Sequence, residues 1–156
     1  MADAYERELK GILGGEGKFL ERAETWDEGY KTLRERPFLV VKAGGSFGID
    51  LLAAREFTVL PIEVKASASR VFRFSRNKRL EEQASAMVDA CRKAELVAIY
   101  AYRLKRVVQD PWHLFVAGDL ENSFTRMMPH MEPGSRGNVI MRWEEGLPLG
   151  EFLKGL

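Results

Sequence analysis

An aspartate at the mouth of one apolar segment and a Glu-x-Lys inside the next constrain this chain more than any other feature. The segments read Gly48-Ile49-Asp50-Leu51-Leu52-Ala53 and Pro61-Ile62-Glu63-Val64-Lys65. Strand residues alternate faces, so Glu63 and Lys65 point the same way, about 7 Å apart along the strand. Two carboxylates and an ammonium against apolar walls are costly to bury. A divalent metal offsets that cost, and Asp50 and Glu63 supply the hard oxygen ligands that Mg²⁺ takes. Glu-x-Lys alone equally describes a surface strand with a charged outer face. It also occurs at Glu8-Leu9-Lys10, in an expected helix, and at Glu16-Gly17-Lys18, in a glycine-rich turn. Only the copy at Glu63 has β-forming neighbours and an aspartate upstream on another strand.

The 156 residues are 46% hydrophobic, enough for one globular domain over 1–156 with a real core. No apolar run reaches the length of a membrane span. The start, Met-Ala-Asp-Ala-Tyr-Glu-Arg, has no signal-peptide core, and Cys91 is the only cysteine. These features point to a reducing cytoplasm. Cys91 falls on the apolar side of an expected helix and reads as a small core residue. His113 and His130 are not spaced as metal ligands. The net charge of +1 is uninformative, but its distribution is not. Lys65, Arg70, Arg73, Arg76, Lys78 and Arg79 fall in residues 65–79 with no acid among them, and Phe72 and Phe74 are interleaved. Phosphate binding needs such a run, although a solvated loop and helix start would also look like this.

Periodicity predicts an amphipathic helix over 3–13 from Tyr5, Leu9, Ile12 and Leu13, stopped by Gly14-Gly15. A second helical stripe runs from Phe19 to Leu33 and ends before Pro37. Strands are expected at 38–43, 48–54 and 58–66, followed by a polar loop over 67–76. A helix over 77–93 and strands at 95–102 and 112–117 come next. The helix between the third and fourth strands implies a crossover and a mixed sheet. Residues 129–138 read as a loop, 139–143 as an edge strand, and 147–156 as a short helix.

Together these stretches resemble the archaeal Holliday-junction resolvases, within the PD-(D/E)xK nuclease superfamily. Tyr5-Glu6-Arg7-Glu8-Leu9 is similar to their first helix. Phe38-Leu39-Val40-Val41-Lys42-Ala43-Gly44-Gly45-Ser46 resembles their first strand and glycine-serine turn. Residues 48–53 and 62–65 resemble their metal-binding strands, and Glu82-Gln83-Ala84 their second helix. Gly137-Asn138-Val139 and Glu145-Gly146-Leu147 are loosely similar to the tail of some members. The resemblance implies an α/β, restriction-endonuclease-like fold, a mixed β-sheet flanked by helices. Residues 18–36 would be a helical insertion and 118–156 a C-terminal extension.

By the same resemblance, the activity expected is paired, symmetric nicking of four-way DNA junctions by a homodimer using Mg²⁺, with Mn²⁺ as a substitute. Glu6, Asp50 and Glu63 take the metal positions, Lys65 the catalytic lysine, and Ser46 the turn serine needed for activity. Arg7 and Lys42 are expected near phosphate, with Arg70, Arg73, Arg76, Lys78 and Arg79 as further DNA contacts. The chain departs from the pattern in having Lys42 where an arginine is usual, which forfeits a bidentate fork. It also has Ile49 in place of a frequent proline.

Glu6 has a plain alternative as a surface acid paired with Lys10 at i, i+4. Two other functions stay open: a restriction-like or repair endonuclease on linear or flapped DNA, and a DNA-binding paralogue that does not cut. Phe72, Phe74, Met127, Met128 and Trp143 are expected to stay partly uncovered by one small core, an apolar surplus that supports a homodimer without naming its interface.

Overall fold

A computed structural model describes residues 2–74, 78–131 and 139–156. Its elements are α1 (Ala2–Leu13), α2 (Gly17–Glu24), β1 (Leu39–Lys42), β2 (Leu51–Arg55), β3 (Thr58–Ser67), β4 (Val71–Arg73), α3 (Lys78–Lys93), β5 (Ala98–Leu104), β6 (Trp112–Ala117), β7 (Ile140–Arg142), β8 (Leu147–Pro148) and α4 (Leu149–Lys154). A six-stranded sheet runs in the order β1-β2-β3-β5-β6-β8. β3 and β5, joined through α3, are parallel, and the other pairs are antiparallel, so the sheet is mixed as expected.

Alternation divides the sheet cleanly. Leu51, Ala53, Ile62, Val64, Ile99 and Ala101 face one core with Leu9, Ile12 and Leu13 of α1, Leu20 of α2 and Phe152 of α4. Ala98, Tyr100, Tyr102 and Leu104 face the other, with Met87 and Cys91 of α3 and with Phe74, Met141 and Trp143. Cys91 is buried, as its place on the helix predicts. No helix among the described residues is long and apolar enough to cross a membrane.

Several expectations need correction. The stripe over 19–33 is not one helix but α2 followed by a 3-10 turn at Glu28–Arg34. Asp27 interrupts it, taking extended backbone and accepting the Gly29 N–H at 2.8 Å. Gly29 in turn lies so close to α4 that a Cβ there would sit 2.0 Å from the Gly150 carbonyl oxygen. Residues 67–76 are not merely a loop, because they contain β4. The strand expected at 139–143 forms as β7 but does not border the main sheet. It pairs with β4 in a separate two-stranded ribbon, with Phe72 opposite Met141. β5 lies three residues beyond the start expected for it. The stretch 147–156 begins with β8, which borders β6, before α4. Residues 132–138, most of the loop expected at 129–138 and including Gly137 and Asn138, lie outside the described residues.

Of the five side chains expected to be uncovered, Phe74, Met128 and Trp143 are buried and Phe72 is half-buried; only Met127 stands in water. The ribbon buries its inner face against β5: Phe72 meets Tyr102 and Phe74 meets Tyr100, both edge to face.

Candidate active site at the fork between β2 and β3

The carboxylates gather where the sheet splits. β2 pairs with β3 only as far as Leu51 opposite Ile62. Asp50 is the next residue outward. Its N–H donates to Ile62 O at 2.9 Å, and its carbonyl accepts the Ala43 N–H at 2.7 Å. Its Oδ2 accepts the Val64 N–H at 2.8 Å. The side chain thus continues a hydrogen-bond ladder that the β2 backbone has left, which fixes the carboxylate against β3.

Glu63 and Lys65 stand on one face of β3, as alternation requires, with Lys65 Nζ 2.9 Å from Glu63 Oε1. In the parallel register they lie beside Tyr100 and Tyr102 of β5. The Lys65 ammonium also lies 5.7 Å from the Phe72 ring centre. Glu6 arrives from α1. Its rotation is fixed by the buried Leu9, Ile12 and Leu13 and by Glu8, two residues on and about 200° around the helix. Glu8 holds the buried Arg103 through Nε at 2.9 Å and accepts the Trp112 indole N–H at 2.8 Å. Glu6 lies 3.9 Å from Lys42 rather than pairing with Lys10.

Asp50 is the member that both other acids meet. Burial pushes the Glu6 carboxyl above its ordinary range; the Asp50 charge and contact add to this, and Lys42 opposes it. Burial pushes Glu63 up to about 8, with Asp50 adding and Lys65 opposing. Desolvation therefore outweighs the 2.9 Å ion pair, so the site favours the protonated Glu63 carboxyl more than water does. Burial also raises the Tyr100 hydroxyl, with Glu63 and then Asp50 contributing.

Among the described residues, no three His, Cys, Asp or Glu side chains already form a cage around an ion position. The donor chemistry nevertheless fits a hard divalent cation. Oxygen donors come from three separate elements, and their crowding is what a positive charge would relieve.

The Glu63 shift has a stability consequence. Between about pH 4.5 and 8 the folded state holds a proton that the unfolded chain has lost, so stability falls as pH rises and levels off above 8. In EDTA, Glu63→Gln should melt higher than wild type at pH 8.5, by roughly 2–4 kcal/mol, with the gap closing by pH 4.5. Parallel melting curves at the two pH values would show that Glu63 carries no such strain.

The remaining candidates are scattered around this centre. Ser46 is exposed in a 3-10 turn, Ser46–Gly48, between β1 and Asp50. Gly48 there, with φ 74°, touches α3 so closely that a Cβ would meet Gln83 O at 2.5 Å. Arg7, Lys42 and Arg73 are exposed, as are Lys78 and Arg79 at the start of α3. Arg70 is drawn away to Glu144, at 2.8 Å, and lies 5.3 Å from the Trp143 ring centre. Arg76 lies outside the described residues. Tyr100, Tyr102 and Phe72 were not legible as site residues. The Tyr-x-Tyr alternation marks a strand, but only the register of β5 on β3 puts it beside Glu63 and Lys65.

No protein-family model matches the chain, and no curated protein matches it. Among solved structures it is similar to Hjc, a Holliday junction resolvase from the archaeal hyperthermophile Archaeoglobus fulgidus, at TM-score 0.51 and 21% identity, over 88% of this chain and 95% of that one. The fold is that of a Holliday junction resolvase. Nearly the whole of Hjc is accounted for, so the likeness covers both layers of the sheet and not only the strands that carry Asp50 and Glu63.

Proposed function

We propose that this protein is a structure-selective DNA endonuclease of the cytoplasm that hydrolyses phosphodiesters with Mg²⁺ and resolves four-way junctions by paired nicks. One observation carries the reading: Asp50, Glu63 and Lys65, with Glu6 beside them, meet at the fork of a resolvase-like sheet.

Asp50, Glu63 and Glu6 would hold the metal, which when bound supplies charge neutralisation at the phosphate and a more acidic water. Asp50 is pre-oriented by the Val64 N–H. Glu63 must give up its proton to become a ligand, and Lys65, 2.9 Å away, stabilises the anion that results. Lys65 is then the donor positioned to orient the attacking water or to meet charge developing on the phosphate. The exposed Lys42, which lies 3.9 Å from Glu6, and the exposed Arg7 and Arg73 would serve as phosphate contacts. Paired nicks need two such centres, so a two-fold homodimer is part of the proposal.

The deciding experiment compares a four-way junction with a linear duplex of identical sequence. Paired nicks in the junction and little cutting of the duplex are expected, from a species of twice 17.7 kDa by light scattering. Lys65→Ala should bind junctions normally yet cut about 100-fold more slowly or worse. Equal cutting of both DNAs, or unpaired nicks from a monomer, would move the reading to a repair or restriction-like nuclease. No cutting with normal binding would leave a non-cleaving DNA-binding protein.

A further inference from the structure

Phe47 sits at the apex of the turn that closes onto Asp50. Its side chain is 69% exposed, and its backbone is left-handed, with φ 56°. A bulky residue with positive φ is an outlier that persists only where its surroundings over-determine it. Here they do. Gly44, Gly45 and Gly48 all take positive φ. Ser46 N–H donates to Ala43 O at 3.1 Å, Gly48 N–H to Gly45 O at 2.9 Å, and Ile49 N–H to Ser46 O at 2.9 Å. The Ala43–Asp50 hydrogen bond clamps the base, and Gly48 is wedged against the Gln83 backbone. A rigid turn thus holds a large apolar ring in water, in a strained conformation, with no core contact to show for either.

Phe47 lies three residues from Asp50, so their Cα atoms stand within about 11 Å of each other, a few base-pair steps at most. We propose that Phe47 is a stacking wedge: it packs against a base left unstacked at the branch point of the bound DNA. The inference rests on the nuclease reading and deepens it, because it assigns part of the preference for branched DNA to one side chain. Apolar wedges at opened base steps are a general means of holding distorted DNA, and an aromatic ring stacks on any base. A continuous duplex offers no free base face, so the contribution selects structure rather than sequence.

The molecule contains its own control. Phe57 is 99% exposed and follows Glu56, also at positive φ, but it sits in the hairpin between β2 and β3, at the opposite end of β2 from Asp50.

The test uses full-length protein without divalent metal, a four-way junction with 2-aminopurine at the branch point, and the matching linear duplex. Wild type should raise the branch-point fluorescence on binding. Phe47→Gly should melt no lower than wild type, because it relieves the positive φ. It should bind the junction about tenfold or more weakly, keep its duplex affinity and lose the fluorescence rise. Phe47→Trp should retain the rise, and Phe57→Ala should behave as wild type. Unchanged junction binding by Phe47→Gly, or equal weakening on junction and duplex, overturns the wedge. The nuclease reading is scored separately, by cleavage with Mg²⁺. A Phe47-dependent junction preference without cleavage removes that reading and leaves the wedge, whereas cleavage with normal junction binding by Phe47→Gly does the reverse. A protein that binds no DNA loses both.

Discussion

Asp50→Asn and Glu63→Gln are each expected to lower Mg²⁺-dependent cleavage by about 10³-fold or more while leaving junction binding in place. Amides are poor ligands for hard cations, so either change removes a donor from the site. Neither should harm the fold. The amide introduced by Asp50→Asn keeps an oxygen for the Val64 N–H, which Asp50 Oδ2 now accepts at 2.8 Å. Glu63→Gln removes a carboxyl that burial and Asp50 already disfavour as an anion. It should therefore give a protein that is more stable at alkaline pH and inactive, the pairing expected where strain is kept for function. The check is a single-turnover junction assay beside a melting curve. Cleavage within a few-fold of wild type by either variant would remove Asp50 and Glu63 from the chemistry.

Asp110→Ala should be the most damaging single change outside the site, at about 3–5 kcal/mol, or about 10 °C or more in melting temperature. Asp110 is buried between β5 and β6, and its carboxylate joins three distant parts of the chain. Oδ1 accepts the Tyr30 hydroxyl at 2.6 Å and the Trp112 N–H at 3.2 Å; Oδ2 accepts the Gly150 N–H at 2.9 Å. Burial raises its pKa, and those three hydrogen bonds pull against that rise. Alanine leaves three buried donors unsatisfied, each costing about 1–3 kcal/mol. The damage should centre on the 3-10 turn carrying Tyr30 and on α4, so amide exchange there should quicken first. Chemical and thermal melts decide it: a loss under about 1 kcal/mol would mean that water replaces the carboxylate.

Asp110 also illustrates what a linear reading misses. In sequence it is one acid in a polar turn after β5, with nothing to set it apart from Asp89 or Asp119, both of which form exposed ion pairs with Arg92. Its importance comes from Tyr30, 80 positions earlier, and Gly150, 40 later. Glu8 is similar. On the helix it reads as one more acid in a charged stretch, yet Arg103 and Trp112, about a hundred residues away, make it the anchor that turns Glu6 towards Asp50.

The basic run shows the opposite error, in which a feature that stands out locally is partly spent elsewhere. Arg70 is engaged by Glu144, which no reading of residues 65–79 could reveal.

The sequence by itself determined the strands around the site and the shared face of Glu63 and Lys65. It did so because alternation and β-propensity act between neighbours and survive without knowledge of the rest of the chain. It also put Asp50 near the start of β2, since glycines before it mark the turn and apolar residues after it mark the strand, but the strand expected over 48–54 begins only at Leu51, because Ser46–Gly48 form a 3-10 turn. Tertiary structure alone decided how those residues meet. The point where β2 leaves β3 gives Asp50 the Val64 N–H, and the β3–β5 register supplies Tyr100 and Tyr102. The pairing of β4 with β7 brings Phe72 to Lys65. Each of these depends on register or packing between segments far apart in the chain, where a shift of one residue turns every side chain to the other face and local propensity does not change at all.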